Sequence, residues 1–224
     1  MKYLRLLIVA VFAVTLVVSA QTDKSRKDPG EISGLMSAIL FGDPQSVERL
    51  LKSGADSNET GALGTTPLMW AVPNLEKVQI LLAHGANVNA KSETDRSALL
   101  VASSYPGTVS VLKLLLDHGA DLHAQDKGGA TALSLAVRSA DVDVVRFLVE
   151  RGLDPNGLTP AARRVAFLRH DLPTTEYLMS KSLLGIPDVL IVAAAWQPTA
   201  LIARWLDAGA EVNVNNPAQY ARSE

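Results

Sequence analysis

The chain has no cysteine among its 224 residues, and aromatic residues make up only 5% of it. Without thiols there is no disulfide, thiolate zinc site, iron–sulfur cluster or C-x-x-C-H haem attachment. The formal charge of −2 is too close to zero to indicate a nucleic-acid binder. Hydrolase, metalloprotease, phosphate-loop and dinucleotide motifs are also missing from the sequence. We therefore expect neither enzymatic activity nor a cofactor.

The longest apolar run lies near the N-terminus. Two basic residues precede an apolar stretch over 6–18, and small residues follow it up to Ala20. This pattern predicts a signal peptide over 1–20 that is cleaved after Ala20, and hence a periplasmic or secreted protein with no stable membrane span. An uncleaved anchor through residues 4–20 is the alternative, although the run is short against the roughly 20 residues that cross a bilayer.

A phrase that ends in a glycine motif recurs about every 30 to 34 residues. It reads LLAHGANVN over 81–89 and LLDHGAD over 115–121, with further copies at Gly54, Gly152 and Gly209. Self-similarity at this period is typical of stacked repeats, in which each unit buries an apolar face against its neighbours. Such a fold favours the binding of a partner over catalysis.

A second phrase, TPLMWA over 66–71, opens one of the units. Matching openings give six units, which begin near residues 33, 66, 97, 131, 161 and 188. They define a repeat domain over 33–216, with a polar linker over 21–32 before it and a tail over 217–224 after it. The fifth unit departs most from the pattern, because Arg163 stands at the place of a buried leucine.

Each unit is predicted to form two short helices. Thr66 and Thr131 suit the N-caps of first helices, and Pro67 fits the first helical position, where an N–H has no partner. Asp43 and Asp141 are placed to begin second helices in the same way. The glycine after each second helix predicts a left-handed residue, and the polar stretches between units predict β-turn loops.

The T-P-L-x-x-A opening and the L-L-x-x-G-A-D/N-x-N ending resemble those of ankyrin repeats, over residues 33 to about 216. The resemblance implies an all-α repeat fold, an ankyrin-type solenoid of about six helix-turn-helix units joined by β-turn loops. It also implies a non-catalytic scaffold that binds a partner protein on the concave face. An accessory role beside exported redox or oxidative-stress enzymes is the alternative, and any haem would then belong to the partner.

The resemblance places candidate partner-binding residues on the loop tips and the first helices. They are Glu93, Thr94, Arg96 and Lys127 in the loops, and Phe41, Tyr105, Arg138, Arg169 and Trp196 in the helices. Aromatic and arginine side chains dominate binding hot spots, because they bury large areas at modest entropic cost. Tyr105 and Arg138 are the preferred candidates, since an aromatic in an end unit also serves to cover the core.

Two histidines, His84 and His118, precede the helix-ending glycines of successive units. A shared metal ion is not expected, because neighbouring helices lie roughly 10 Å apart and Zn–N bonds are about 2 Å long. A hydrogen bond or a favourable charge at a helix C-terminus is the expected role. We predict no metal site.

The last unit is unusually apolar for the end of a repeat array. Terminal units normally carry a polar outer face, yet residues 190–206 contain many large apolar side chains and few charges. A homodimer through this unit, a partner at the end of the stack, or a truncated gene product would each account for it.

Overall fold

A computed structural model describes residues 33–139, 141–154, 158, 173, 174 and 177. The chain divides after Thr131 into two compact units. Several sequence-based predictions lie outside the described residues: the signal peptide, the linker, the sixth repeat, the tail, Arg169 and Trp196, together with nearly all of the fifth repeat.

Short helices make up most of the described part of the chain. In the first unit they are α1 (Gly34–Phe41), α2 (Pro44–Lys52), α3 (Pro67–Ala71), α4 (Leu75–Ala83), α5 (Ala98–Ser103) and α6 (Val109–Asp117). A 3-10 turn over Ala62–Gly64 precedes α3. In the second unit they are α7 (Ala132–Ser139) and α8 (Val142–Glu150). The described residues contain no strand beyond one isolated antiparallel bridge between Gln125 and Thr131.

The helices of the first unit stack in chain order. The first helices α1, α3 and α5 pack one after another, and the second helices α2, α4 and α6 form a neighbouring row. Within each pair the first helix also packs on the second, and in the second unit α7 packs on α8. The predicted all-α repeat solenoid is therefore confirmed.

Aliphatic side chains fill the interior of the first unit. Leu68, Leu81, Leu99, Leu112 and Leu115 are each at most 1% exposed. In α6 the two buried leucines are three residues apart, which places them on one face of the helix. A single pair of such short helices has too little apolar surface to form a core alone, so each pair depends on its neighbours.

Polar residues begin the helices, largely as the sequence predicts. Asp43 accepts a hydrogen bond from the Ser46 amide at 2.7 Å, and Asp141 accepts one from the Val144 amide at 3.2 Å. Thr66 also occupies an N-cap, but its side chain makes no capping bond, and its buried hydroxyl has no partner. The predicted position of Thr66 is right, whereas its predicted hydrogen bond is wrong.

Glycine ends the second helices in the left-handed conformation. Gly54, Gly85, Gly119 and Gly152 have φ values of +96°, +80°, +83° and +101°. L residues avoid this region because the Cβ crowds the backbone, and glycine carries no Cβ. The helix ends predicted from the repeat phrase are therefore confirmed in the described residues.

Replacing Gly119 with alanine is expected to lower the free energy of unfolding by about 1 kcal/mol. Nothing lies within 4 Å of an added Cβ, so the loss comes from the backbone conformation alone. Gly34→Ala is the matched control, since Gly34 begins α1 without a positive φ and its added Cβ also meets no atom. Urea unfolding followed by circular dichroism should show a loss only for Gly119→Ala. Equal losses in both variants would contradict the conformational cause.

Candidate partner-binding surface

Three tight loops connect successive helix pairs, over residues 61–65, 92–96 and 126–130, and we call them the loop tips. Each is closed by a backbone hydrogen bond from its first residue to the carbonyl of its last, at 2.8, 2.9 and 3.1 Å respectively. These closures agree with the β-turn loops predicted between the repeats. Each loop leads directly into a first helix, so the loop tips lie at the N-terminal ends of α3, α5 and α7.

The loop tips are also bonded to one another. The Glu93 amide donates to the Leu63 carbonyl at 2.8 Å, and the Lys127 amide donates to the Thr94 carbonyl at 3.0 Å. These bonds join the first loop to the second and the second to the third. The loop tips therefore form a connected row rather than three independent loops.

Asp126 anchors the third loop. One carboxylate oxygen accepts from the amides of Gly128 and Ala130, each at 2.9 Å, and the other lies 3.3 Å from Arg96 Nε. Burial acts against ionisation, but the two amides and the guanidinium together lower the pKa of Asp126 below its ordinary value. Asp126 is therefore a carboxylate at neutral pH and holds Arg96 across the second and third loops.

Most described candidates predicted from the sequence lie at the surface. Glu93, Thr94 and Lys127 are exposed on the loop tips, whereas Arg96 is partly engaged through its bond to Asp126. The structure brings these four loop residues close together. The sequence had suggested this only through their positions in the repeats.

The helix candidates lie away from the loop tips. Phe41, at the end of α1, is 73% exposed, and Tyr105 is half-buried just beyond the end of α5. Arg138 is exposed on α7 in the second unit. Phe41 and Tyr105 lie at or just beyond the C-terminal ends of α1 and α5, whereas the loop tips precede the N-terminal ends of α3, α5 and α7.

Two residues near the first loop were not predicted from the sequence as surface residues. Leu63 is 50% exposed and has a positive φ of 59°. Trp70 lies in the repeat opening TPLMWA but is only half-buried, and its indole Nε1 donates to Thr65 Oγ1 at 3.0 Å. The sequence shows Leu63 only as an apolar residue directly before a glycine, which does not by itself indicate a binding position.

Lys77 is the least expected side chain of the first unit. It lies on α4, is only 6% exposed, and donates from Nζ to the carbonyls of Ala38, Ile39 and Gly42 at 3.3, 2.6 and 2.9 Å. Burial lowers the pKa of Lys77 below its ordinary value, and the negative charge of Asp43 opposes this shift. Lys77 thus joins the second repeat to the open end of α1 in the first.

The last asparagine of the repeat phrase links successive repeats. Asn89 Nδ2 donates to the Gly119 carbonyl and Asn89 Oδ1 accepts from the Asp121 amide, both at 2.9 Å. Asn58 makes the equivalent two bonds one repeat earlier, at 3.0 and 2.7 Å. A side-chain amide can do this because it carries a donor and an acceptor side by side. The asparagine therefore fixes the spacing of neighbouring repeats.

The two repeated histidines bond to the ends of their own helices. Nδ1 of His84 lies 2.9 Å from the Ile80 carbonyl, and Nδ1 of His118 lies 2.9 Å from the Leu114 carbonyl. The expected hydrogen bond at a helix C-terminus is therefore confirmed. In the part of the chain that the structure describes, no three potential metal-ligating side chains come together.

Within the described ranges, no helix has the length and apolar character required to cross a bilayer. The segment 4–20, considered above as an anchor, lies outside those ranges.

Stacked helix pairs, left-handed glycines and bonded loop tips together define a helical repeat protein. A family model for ankyrin repeats in three copies matches residues 35–126 and 91–159. The chain belongs to the ankyrin repeat family, as the two repeat phrases predicted. Repeats of this family generally mediate protein–protein interaction and are not catalytic.

Similar proteins are much longer than this chain. The Caenorhabditis elegans homolog of transient receptor potential cation channel subfamily A member 1 is 29% identical over 136 residues, 60% of this chain and 11% of that protein. The Mus musculus B-cell lymphoma 3 protein homolog is 34% identical over 131 residues, which are 57% of this chain and 29% of that protein. The Bos taurus mitochondrial disaggregase is 33% identical over 137 residues, which are 58% of this chain and 20% of that protein. The chain therefore spans less than a third of each.

Proposed function

We propose that this protein is an exported, non-catalytic binding module whose concave face, made of the loop tips and first helices, holds a partner protein. The observation that carries this proposal is the connected row of loop tips, which presents Glu93, Thr94 and Lys127 to solvent on a hydrogen-bonded frame. Membership of the ankyrin repeat family supports it, because this family generally serves protein–protein interaction.

A rigid frame favours binding for a physical reason. A flexible loop loses conformational entropy when a partner orders it, and that loss weakens the complex. Here the backbone bonds from Glu93 to Leu63 and from Lys127 to Thr94 hold the loops before any partner arrives. The bond between Arg96 and Asp126 adds a side-chain connection. Preorganisation of this kind leaves more of the contact energy available for affinity.

The proposed site of action is the periplasm or the extracellular space. The support is the signal-peptide pattern over 1–20, with its basic start, its apolar run and its small residues before position 21. Cell fractionation of the full-length protein with N-terminal sequencing tests this part separately. A mature N-terminus at Gln21 in the exported fraction is expected, and an uncut chain in the membrane fraction would instead favour the anchor.

The binding proposal is tested by capture with cross-linking, using the full chain and three variants of the concave face. Tyr105→Ala, Arg138→Ala and Lys127→Glu are each expected to weaken capture of a specific partner about tenfold, as at binding hot spots. Lys113→Ala is the control, because Lys113 is exposed on the second helix α6. Identical capture by all four variants and the parent chain, or no specific partner at all, would contradict the proposal.

A further inference from the structure

The first loop tip contains a leucine in a backbone conformation that disfavours it. Leu63 has φ 59° and ψ 25°, Gly64 has φ 67°, and the Thr65 amide donates to the Ala62 carbonyl at 3.3 Å. Two consecutive positive φ values at the centre of a turn define the type I′ geometry, which asparagine, aspartate and glycine favour. A leucine side chain is strained there, because its Cβ crowds the following carbonyl.

Packing does not explain Leu63 either. The residue is 50% exposed, so it contributes little to the core. At the same position of the other two loops, Thr94 and Gly128 do not have a positive φ. Asp95 in the second loop has a φ of 60°, but aspartate tolerates this region far better than leucine does. Of the three loops, only the first places a large apolar side chain in this conformation. A strained and exposed apolar residue is typical of a functional position, where the surrounding structure maintains the strain.

The surroundings of Leu63 hold the turn in place. Thr65 Oγ1 donates to the Ala62 carbonyl at 2.8 Å and accepts from Trp70 Nε1 at 3.0 Å. The half-buried indole of Trp70 therefore lies at the base of the same turn. The exposed Leu63 and the partly exposed Trp70, which is bonded to the same turn, offer apolar surface at the first loop tip.

The exposed side chains of Glu93 and Lys127, on the other two loop tips, carry opposite charges. Glu93 lies directly beside the first loop, because its amide bonds to the Leu63 carbonyl, and a Cβ added to Gly64 would lie 3.2 Å from that amide nitrogen. Lys127 follows on the third loop and is exposed like Glu93. Asp126 and Arg96 also lie in these loops, but they are bonded to each other. The side chains of Leu63, Glu93 and Lys127 are thus apolar, acidic and basic in that order along the row.

We propose that the loop tips form a three-part recognition site for an extended segment of the partner protein that carries an apolar, a basic and an acidic side chain in the same order. The proposal rests on the proposed function and adds the chemistry of the partner. Leu63 and Trp70 receive the apolar side chain, Glu93 the basic one and Lys127 the acidic one. Complementary charges would fix the direction of the segment and its register.

The backbone bonds between the loop tips set the spacing of the three side chains. Neighbouring loop tips are joined directly, from Glu93 to Leu63 and from Lys127 to Thr94, and an extended chain advances about 3.3 Å per residue. The partner's three side chains are therefore expected in order within one short segment.

The first test is Leu63→Asn, which relieves the strain and removes the apolar side chain together. The melting temperature of the full chain should rise by about 3 °C, while affinity for selected peptides should fall about tenfold or more. If Leu63 had only a structural role, Leu63→Asn would leave the affinity for the peptides unchanged. A fall in the melting temperature would show that Leu63 serves the fold, and would overturn the proposal.

The second test selects 12-residue peptides from a random displayed library on the full chain. Peptides bound by the parent chain should be enriched in an apolar residue, a basic residue and an acidic residue in that order. Selection on the double variant Glu93→Lys, Lys127→Glu should reverse the order of the two charges. Enrichment that ignores this exchange would overturn the proposal.

The same peptides separate this proposal from the proposed function. Binding that Tyr105→Ala weakens but Leu63→Asn and the charge exchange leave unchanged would retain the concave face and remove the three-part site. Failure to select any peptide, or binding that no concave-face substitution affects, would count against both. Concentration-dependent self-association that Leu63→Asn abolishes would assign the site to a second copy of the chain, and would overturn the proposal as stated.

Discussion

Lys77→Met is expected to lower the free energy of unfolding by about 3 kcal/mol. Helix α1 ends at Gly42 in an extended conformation, so it lacks the left-handed glycine that closes the second helices. Its last carbonyls depend instead on the Lys77 ammonium, which approaches that of Ile39 to 2.6 Å. Methionine fills a similar volume but donates no hydrogen bond, so it would leave buried acceptors without this partner.

Lys113→Met is the matched control for this prediction. Lys113 is exposed on α6, so the same chemical change there should alter the free energy of unfolding by no more than about 0.5 kcal/mol. Denaturant unfolding of both variants measures the difference. Equal stability of Lys77→Met and the parent chain would contradict the prediction. It would mean that the three hydrogen bonds of Lys77 only offset the free-energy cost of burying its charge.

The pH dependence gives a second observation on Lys77. Burial lowers its pKa in the folded chain below the ordinary value of 10.5, so between the two pKa values the unfolded chain binds more protons. The free energy of unfolding attributable to Lys77 should therefore rise with pH through that window. Measured against Lys77→Met, the parent's advantage should grow as pH approaches 10.5. An advantage that shrinks over this range would show that the charged form is the one stabilised by folding.

The sequence predicts local features of this fold well. A left-handed glycine, an N-capping aspartate or a tight loop depends on a few adjacent residues, and Gly85, Asp43 and the loop over 126–130 behave as predicted. The order of stacking also follows, because repeats that recur at one period can bury their apolar faces only against their neighbours. For this reason the stacked core could be predicted from the sequence.

Lys77 could not be predicted, because its partners are 35 or more residues away along the chain. A lysine is ordinarily exposed, and the corresponding position of the next helix pair holds the buried Val111. Nothing in the sequence of α4 indicates that the last carbonyl groups of α1 lie opposite Lys77. Only the packing of α2 and α1 against the second helix pair brings acceptors within reach of the ammonium.

The positions of the loop tips were predicted from the sequence, whereas the bonds between them were not. Loop positions followed from the repeat period, and Glu93, Thr94 and Lys127 are indeed exposed there. The interaction of Arg96 with Asp126 was not visible, because the two residues lie in different loops, 30 positions apart. Leu63 was passed over since apolar residues in loops are common, and only its backbone angles distinguish it.

Leu112→Ala is expected to lower the free energy of unfolding by about 3 kcal/mol, because it removes a fully buried side chain and leaves a cavity between stacked helices. Leu116→Ala, on the same helix, is the control. Because Leu116 is half-buried, the same truncation should lower the free energy of unfolding by about 1 kcal/mol. Urea unfolding of the two variants compares them directly. Similar losses would mean that α6 does not present one face to a shared interior. A threefold difference would support the packing that positions the loop tips.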